Sequence, residues 1–219
     1  PAGQQLFAGS VFDLEPDTDY ELKLTLTDPD GGGKSEVVKA KTWSEPVATR
    51  FARVLHVAPG AGAGNGSVSK PFRGIGAANA VARAGDLVLI HRGVYPGAWT
   101  AKSGERGAPV VYRGAGDGEA IFDGGKASVL VSASSAHDVM FENLTFRNAG
   151  RLIVAHGGSD ITVRRCTFQC IVTCFSANTP GTKRMVVLDS VFEGPCTWPR
   201  TKGIEDIEGV EVLGDQNVV

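Results

Sequence analysis

The stretch Ser159–Cys170, SDITVRRCTFQC, decides the fold, because close copies of it flank it on both sides. HDVMFENLTFRN begins at residue 137 and KRMVVLDSVFEG at residue 183, offsets of 22 and 24 residues. Aligned, the three copies give apolar columns: Val139, Ile161 and Met185, then Phe141, Val163 and Val187. Leu144, Cys166 and Ser190 form a third column, followed by Phe146, Phe168 and Phe192. DQNVV at 215–219 restarts the pattern after an insertion at 194–213. A period this short leaves no room for a helix in every turn, and the Leu/Asn signature of leucine-rich repeats is absent. The arrangement that remains is a parallel β-helix, in which each repeat is one coil and equivalent side chains stack inside.

Working outward, GDLVLIHRGVYPG (85–97) and APVVYRGAG (108–116) are looser copies, with Leu87 and Val110 23 residues apart. Leu87, Val88, Leu89 and Ile90 run without alternation, as in a parallel strand buried on both faces. The outer face of this strand needs a cover, which we expect from the weak helix before it. That helix carries Ile75, Ala78, Val81 and Ala82 on one stripe and is placed to cap the first coil. The Gly-rich loop GAGAGNGSVSKPF lacks the Gly-Lys-Ser/Thr ending of a phosphate-binding loop and reads as a surface loop.

SKPFRGIGAANAVARAGDLVLIHRGVYPG resembles the N-terminal cap and first coil of right-handed parallel β-helix proteins of the pectate-lyase-like superfamily. DVMFENLTF and DITVRRCTF resemble its later coils. Gly74 and Gly76 stand where that pattern favours helix formers, which implies a frayed cap. The resemblance covers residues 53–219. It implies an extended glycan along one sheet and a lyase, hydrolase, epimerase, esterase or adhesin, with no polygalacturonase or pectin methylesterase signature present.

Before residue 47 the grammar differs. Tyr20, Leu22, Leu24 and Leu26 alternate with Glu21, Lys23, Thr25 and Thr27, and the turn at Asp28–Gly33 leads to a return strand through Val37 and Val38. Leu14–Tyr20 resembles the corner before the penultimate strand of a fibronectin type III domain, where the Tyr hydroxyl bonds back to upstream backbone. The expected organisation is all-β: a partial fibronectin type III-like sandwich at 1–46, a linker at 47–52 and a β-helix at 53–219. The missing sandwich strands are expected before Pro1 and further coils beyond Val219.

Composition narrows the function. The 219 residues carry a formal charge of -2, without the Lys/Arg excess of a nucleic-acid binder. No apolar stretch approaches the ~20 residues of a membrane span. With 29 glycines and 7% aromatics, short strands and tight turns dominate. Cys166, Cys170 and Cys174 share a C-x3-C-x3-C spacing that fits no zinc site. Cys174 and Cys196 lie 22 residues apart, one coil period, and are expected to form a disulfide in an oxidising compartment, leaving Cys166 buried and unpaired.

Three outward columns are candidates for chemistry: Asp138, Asp160 and Arg184; Glu142, Arg164 and Leu188; Asn143, Arg165 and Asp189. Asp138 above Asp160 makes a carboxylate pair near the ~5 Å of retaining glycosidases, one pKa pushed up by the other charge. A solvated turn Asp in each coil is the plainer reading. Arg165, Asp189, Asp160 and Asp138 are the catalytic candidates, and Arg164, Arg184 and Glu142 the substrate-binding ones. No metal or other cofactor is expected; Glu205, Asp206 and Glu208 come nearest to a calcium cluster without forming a motif. The sequence is read as a secreted, monomeric bacterial protein that binds and cleaves a uronate-containing polysaccharide as lyase or glycoside hydrolase. A non-catalytic adhesin or glycan-binding stalk is the alternative, and a phage or surface fibre a third reading.

Overall fold

The computed structural model describes residues 11–27, 29–194 and 208–213. The chain divides into two compact units, Pro1–Val47 and Ala48–Val219.

The first unit is an antiparallel hairpin of β1 (Asp19–Leu26) and β2 (Lys34–Lys41). Tyr20 faces Ala40 and Leu22 faces Val38, so one face is apolar, while Glu21 faces Lys39 on the other. The backbone N–H of Glu15 donates to the Tyr20 hydroxyl at 2.7 Å, the back-bond expected of that corner. Thr42 Oγ1 donates to the Glu15 carbonyl at 2.6 Å and accepts from the Thr18 N–H, closing the corner onto β2.

The second unit opens with β3 (Arg53–Ala58), β4 (Phe72–Arg73), helix α1 (Ile75–Val81) and β5 (Asp86–Ile90). β6 (Gly93–Pro96), β7 (Trp99–Thr100), β8 (Val110–Gly114) and β9 (Ala120–Ser132) follow. Then come β10 (His137–Glu142), β11 (Thr145–Val154), β12 (Ser159–Arg164), β13 (Thr167–Gln169) and β14 (Thr173–Ala177). β15 (Lys183–Leu188), β16 (Val191–Glu193) and β17 (Glu208–Val212) complete it. Every ladder between these strands is parallel. One sheet runs β15-β12-β10-β8-β5-β3-β4, and an eight-stranded sheet joins β6, β7, β9, β11, β13, β14, β16 and β17. The chain therefore visits the two sheets in turn, and each visit stacks on the last.

The repeat register is the observed one. Val139 pairs with Ile161 and Ile161 with Met185; Phe146 pairs with Phe168 and Phe168 with Phe192. The aromatic column extends two coils earlier than expected. Tyr95, Phe122, Phe146, Phe168 and Phe192 stack with centroid separations of 5.4, 5.7, 5.2 and 4.9 Å. A second stack pairs Tyr112 with Phe141 at 5.5 Å. Two registers differ from expectation: Leu87 pairs with Val111 rather than Val110, and Glu208–Val212, read as part of an insertion, pairs with β14 as a strand. The DQNVV restart lies outside the described residues.

The strand Leu87–Ile90 is covered on its outer face by the chain just after the unit boundary, not by the helix. Leu87, Val111 and Met140 form a small cluster outside the sheet, packed against Ala48 and Phe51. The Ala48 carbonyl accepts from Arg113 Nη2 at 3.1 Å, and the Arg113 guanidinium lies 5.2 Å from the Phe51 ring centroid. Helix α1 instead puts Ile75 and Ala78 into the main core. It is seven residues long, with Gly74 (φ 78°) before it and no capping side chain. Asp86 closes the corner, accepting from the Arg53 Nε at 3.0 Å and the Arg83 N–H at 2.8 Å.

Candidate functional site

Two of the three candidate columns sit at the ends of β10, β12 and β15 and share one backbone conformation. Asp138, Asp160 and Arg184, second residues of those strands, have φ of 54°, 55° and 54°. Asn143, Arg165 and Asp189, just after the strand ends, have φ of 52°, 52° and 48°. Left-handed backbone suits Asn and Asp but not Arg, so the coil register imposes it on Arg165 and Arg184. Both columns are thus corner positions of the coil.

Asp160 is engaged sideways rather than poised against Asp138. Arg184 Nε and Nη2 donate to its two carboxylate oxygens at 2.5 Å each. These bonds hold the Asp160 carboxyl below its ordinary pKa, with partial burial opposing, so the expected upward push from a carboxylate pair is corrected to a downward one. Asp138 instead meets His137 Nδ1 at 3.1 Å. Arg165 and Asp189 form an ion pair at 3.9 Å with both side chains 58% exposed.

Glu142 and Arg164 are brought together but withdrawn from solvent, 5% and 3% exposed. Glu142 accepts from Arg113 Nε and lies 3.6 Å from Arg164 Nε, giving an Arg–Glu–Arg ladder across β8, β10 and β12. Their expected substrate-binding role is corrected to an internal one, since a ligand cannot reach side chains this enclosed. The disulfide is corrected as well. Cys174 is bonded to Cys170, whose Cα lies 5.2 Å away across the turn between β13 and β14. Cys196 lies outside the described residues. Cys166 is buried and free, and burial pushes its thiol up to about 12.

Three polar networks were not visible as sequence columns. His56 Nδ1 lies 3.0 Å from His91 Nε2, and His91 Nδ1 lies 2.8 Å from Asp117 Oδ2. The two imidazoles meet edge to edge, 5.2 Å between centroids and 19° between planes. Asp117 Oδ1 accepts the Arg92 N–H at 2.9 Å, and the His91 hydrogen bond is the main cause of its lowered pKa. On the eight-stranded sheet Ser176 Oγ bridges His156 Nε2 and Glu211 Oε2, both at 3.0 Å, with Asn178 donating to Glu211 Oε1. The third joins Arg147 Nε and Asn148 Nδ2 to Asp123 Oδ2 at 2.8 and 2.9 Å. The first joins residues at non-equivalent points of the repeat, whereas Arg147 pairs in register with Asp123 and Ser176 with Glu211, partners that lie outside the three aligned copies.

Among the described residues no three His, Cys, Asp or Glu side chains converge as metal ligands would. Glu205 and Asp206 lie outside those residues, as does the Glu208 side chain. No helix among the described residues is long and apolar enough to cross a membrane.

No protein-family model matches the sequence, and no curated protein matches it. Among solved structures it is similar to pectate lyase Pel9A, with a TM-score of 0.48 and 17% identity over 71% of this chain and 57% of that one. It is also similar to a rhamnogalacturonan lyase, with a TM-score of 0.42 and 10% identity over 76% of this chain and 67% of that one. The chain spans a little over half the length of pectate lyase Pel9A.

Proposed function

We propose that this chain is part of a secreted carbohydrate-active protein that binds an extended, uronate-containing polysaccharide along its coil stack and cleaves it, as a lyase or glycoside hydrolase. The observation that carries the reading is the strict parallel register of the coils. Phe146, Phe168 and Phe192 pair in sequence, so the outward neighbours Arg147, Gln169 and Glu193 recur at one-strand intervals of ~4.8 Å. A polymer with a repeating unit meets a repeating surface there. The outer face at Leu87, Val111 and Met140 is already covered by Ala48 and Phe51, so the binding surface excludes that patch. Arg147 and the exposed Arg151 on β11, with the exposed Arg165 and Arg184 at corners of the coil, supply cations for uronate carboxylates. In this reading the coils wind right-handed, α1 is the cap, and residues 1–46 are a partial fibronectin-like module joined through 47–52. The Cys170–Cys174 bond agrees with an oxidising, extracellular location.

One observation favours a non-catalytic glycan-binding stalk or adhesin. Asp160 is tied to Arg184 and Arg165 to Asp189, so these candidates are committed to neighbouring coils. Screening against alginate, pectin and glycosaminoglycans separates the readings. Unsaturated-uronate absorbance or new reducing ends support cleavage; retardation in a polysaccharide gel without either supports the stalk; neither signal sinks both.

A further inference from the structure

The His56–His91–Asp117 chain has a direction that follows from proton bookkeeping. Asp117 accepts from the Arg92 N–H and, as a carboxylate, has no proton to give. The 2.8 Å contact therefore requires the proton on His91 Nδ1. A neutral His91 ring then presents a bare Nε2, which has to accept from His56 Nδ1 across 3.0 Å. That fixes His56 as the Nδ1–H tautomer with a lone pair on Nε2. A carboxylate orients one imidazole and that imidazole orients a second, so positive charge arising on His56 is shared along the chain.

The position is open to a ligand. Leu55 and Val57 point into the core, so His56 stands on the outer face of β3 and is half-buried. Five charged or titratable groups besides His56 stand on the neighbouring elements. His91 follows β5, Asp117 follows β8, and the exposed Arg73 lies on β4 beside β3. Arg92 is exposed next to His91, and its stem passes over Gly118. The buried Tyr95 hydroxyl ties the corner, its one proton shared between the His91 carbonyl at 2.6 Å and the Val57 carbonyl at 3.0 Å. Burial and the neighbouring His91 lower the His56 pKa, which keeps it an unprotonated base at neutral pH.

We infer that His56 Nε2 is a catalytic base for an acidic sugar, with His91 and Asp117 as positioning residues and Arg73 and Arg92 as carboxylate-binding cations; this rests on the cleavage reading above. Nε2 takes the proton from the carbon bearing the carboxylate. The electron pair left behind becomes a carbon–carbon double bond as the bond to the glycosidic oxygen breaks. The leaving oxygen takes a proton from water, and His56 returns its own to the hydroxide.

Nitrogen-15 NMR of the whole protein reads the tautomer directly: a protonated Nδ1 and a bare Nε2 at His56 are expected at neutral pH, and a protonated Nε2 overturns the assignment. Turnover is then followed on polygalacturonate and alginate. His56→Gln is expected to lose at least ~100-fold in kcat while retaining the parent's retardation in a polygalacturonate gel. His91→Gln is expected to move the acid limb of the rate profile upward, because it removes a ring that helps to bury His56. Turnover that survives His56→Gln overturns the assignment alone. A parent protein with no turnover overturns it together with the cleavage reading.

Discussion

Leu24 in the hairpin is 59% exposed and Phe168 in the coil stack is fully buried, although both stand in strands that alternate apolar and polar residues. The hairpin is locally complete. Its register runs unbroken from Asp19↔Lys41 to Leu26↔Lys34, its corner is bonded, and Glu21 and Lys39 form a 2.7 Å ion pair. Among the described residues it has no second layer, since two strands make one apolar face and nothing to set against it. In the coil stack the second layer comes from the same repeat. The chain passes from one sheet to the other within each coil, so Phe141 and Phe146 meet edge-on at 6.2 Å across the interior. Alternation indicates which face would be buried; the repeat supplies what buries it.

The largest effect follows from that contrast. Phe168→Ala removes the ring between Phe146 and Phe192 and is expected to cost ~3–5 kcal/mol, whereas Leu24→Ala is expected to stay within ~0.5 kcal/mol. Urea unfolding of both variants checks it. A Leu24→Ala cost approaching that of Phe168→Ala would mean that the hairpin face is covered in solution and would remove the contrast.

Next in size is the Arg113–Glu142–Arg164 ladder. Glu142→Gln leaves two guanidinium groups facing a neutral amide, one of them deeply buried, and is expected to cost ~2–4 kcal/mol, less than a fully buried triad because Arg113 is partly solvated. The loss should come with weaker protection of the Phe51 segment, which Arg113 holds through the Ala48 carbonyl. Amide exchange at residues 49–52 that matches the parent's would show the cover to be independent of the ladder.

Much of the coil stack could be read from the repeat, because a parallel ladder places equivalent residues together and the columns through Val139, Phe141 and Phe146 are that ladder. The cover at Ala48 and Phe51 could not, since one small and one aromatic residue in a polar stretch carry no periodicity. In the candidate columns Arg184 meets Asp160 and Arg165 meets Asp189 across neighbouring coils, whereas Glu142 and Arg164, expected to face outward, are buried. Spacing predicts which residues neighbour each other; it does not predict that Arg165 and Arg184 adopt left-handed backbone or that Arg184 reaches Asp160. His56, His91 and Asp117 lie 35 and 26 residues apart, off the coil period, and no pattern in the chain joins them.

Acid should separate two groups of contacts. The His56 pKa is lowered on folding, so its contribution is present above the ordinary histidine value of about 6.5 and is lost as pH falls through the lower folded value. Asp117 and Asp160 are also lowered on folding, so theirs persist to the ordinary carboxylate range and vanish below it. Stability is expected to fall in two steps on acidification, the first abolished by His56→Gln. A single step, or a first step that survives the substitution, would deny the His pair its part in holding β3 to the coil that follows.

The smallest effect is expected at Arg165 and Asp189, which sequence alone marks as a catalytic pair. Their side chains meet at 3.9 Å with more than half of each in water, where an ion pair contributes at most ~0.5 kcal/mol and fades with salt. The backbone matters more than the charge, because both residues hold φ near 50° and the Arg165 N–H donates to the Leu188 carbonyl at 3.1 Å. Arg165→Ala keeps the left-handed corner at a position where Ala is no better suited than Arg, so unfolding should shift by less than ~0.5 kcal/mol. Arg165→Gly and Arg165→Asn relieve the corner and should stabilise by ~0.5–1 kcal/mol despite losing the ion pair. If Arg165→Asn instead abolishes polysaccharide cleavage while the fold gains stability, the corner is a functional site held in strain, and the pair returns as the reaction's own.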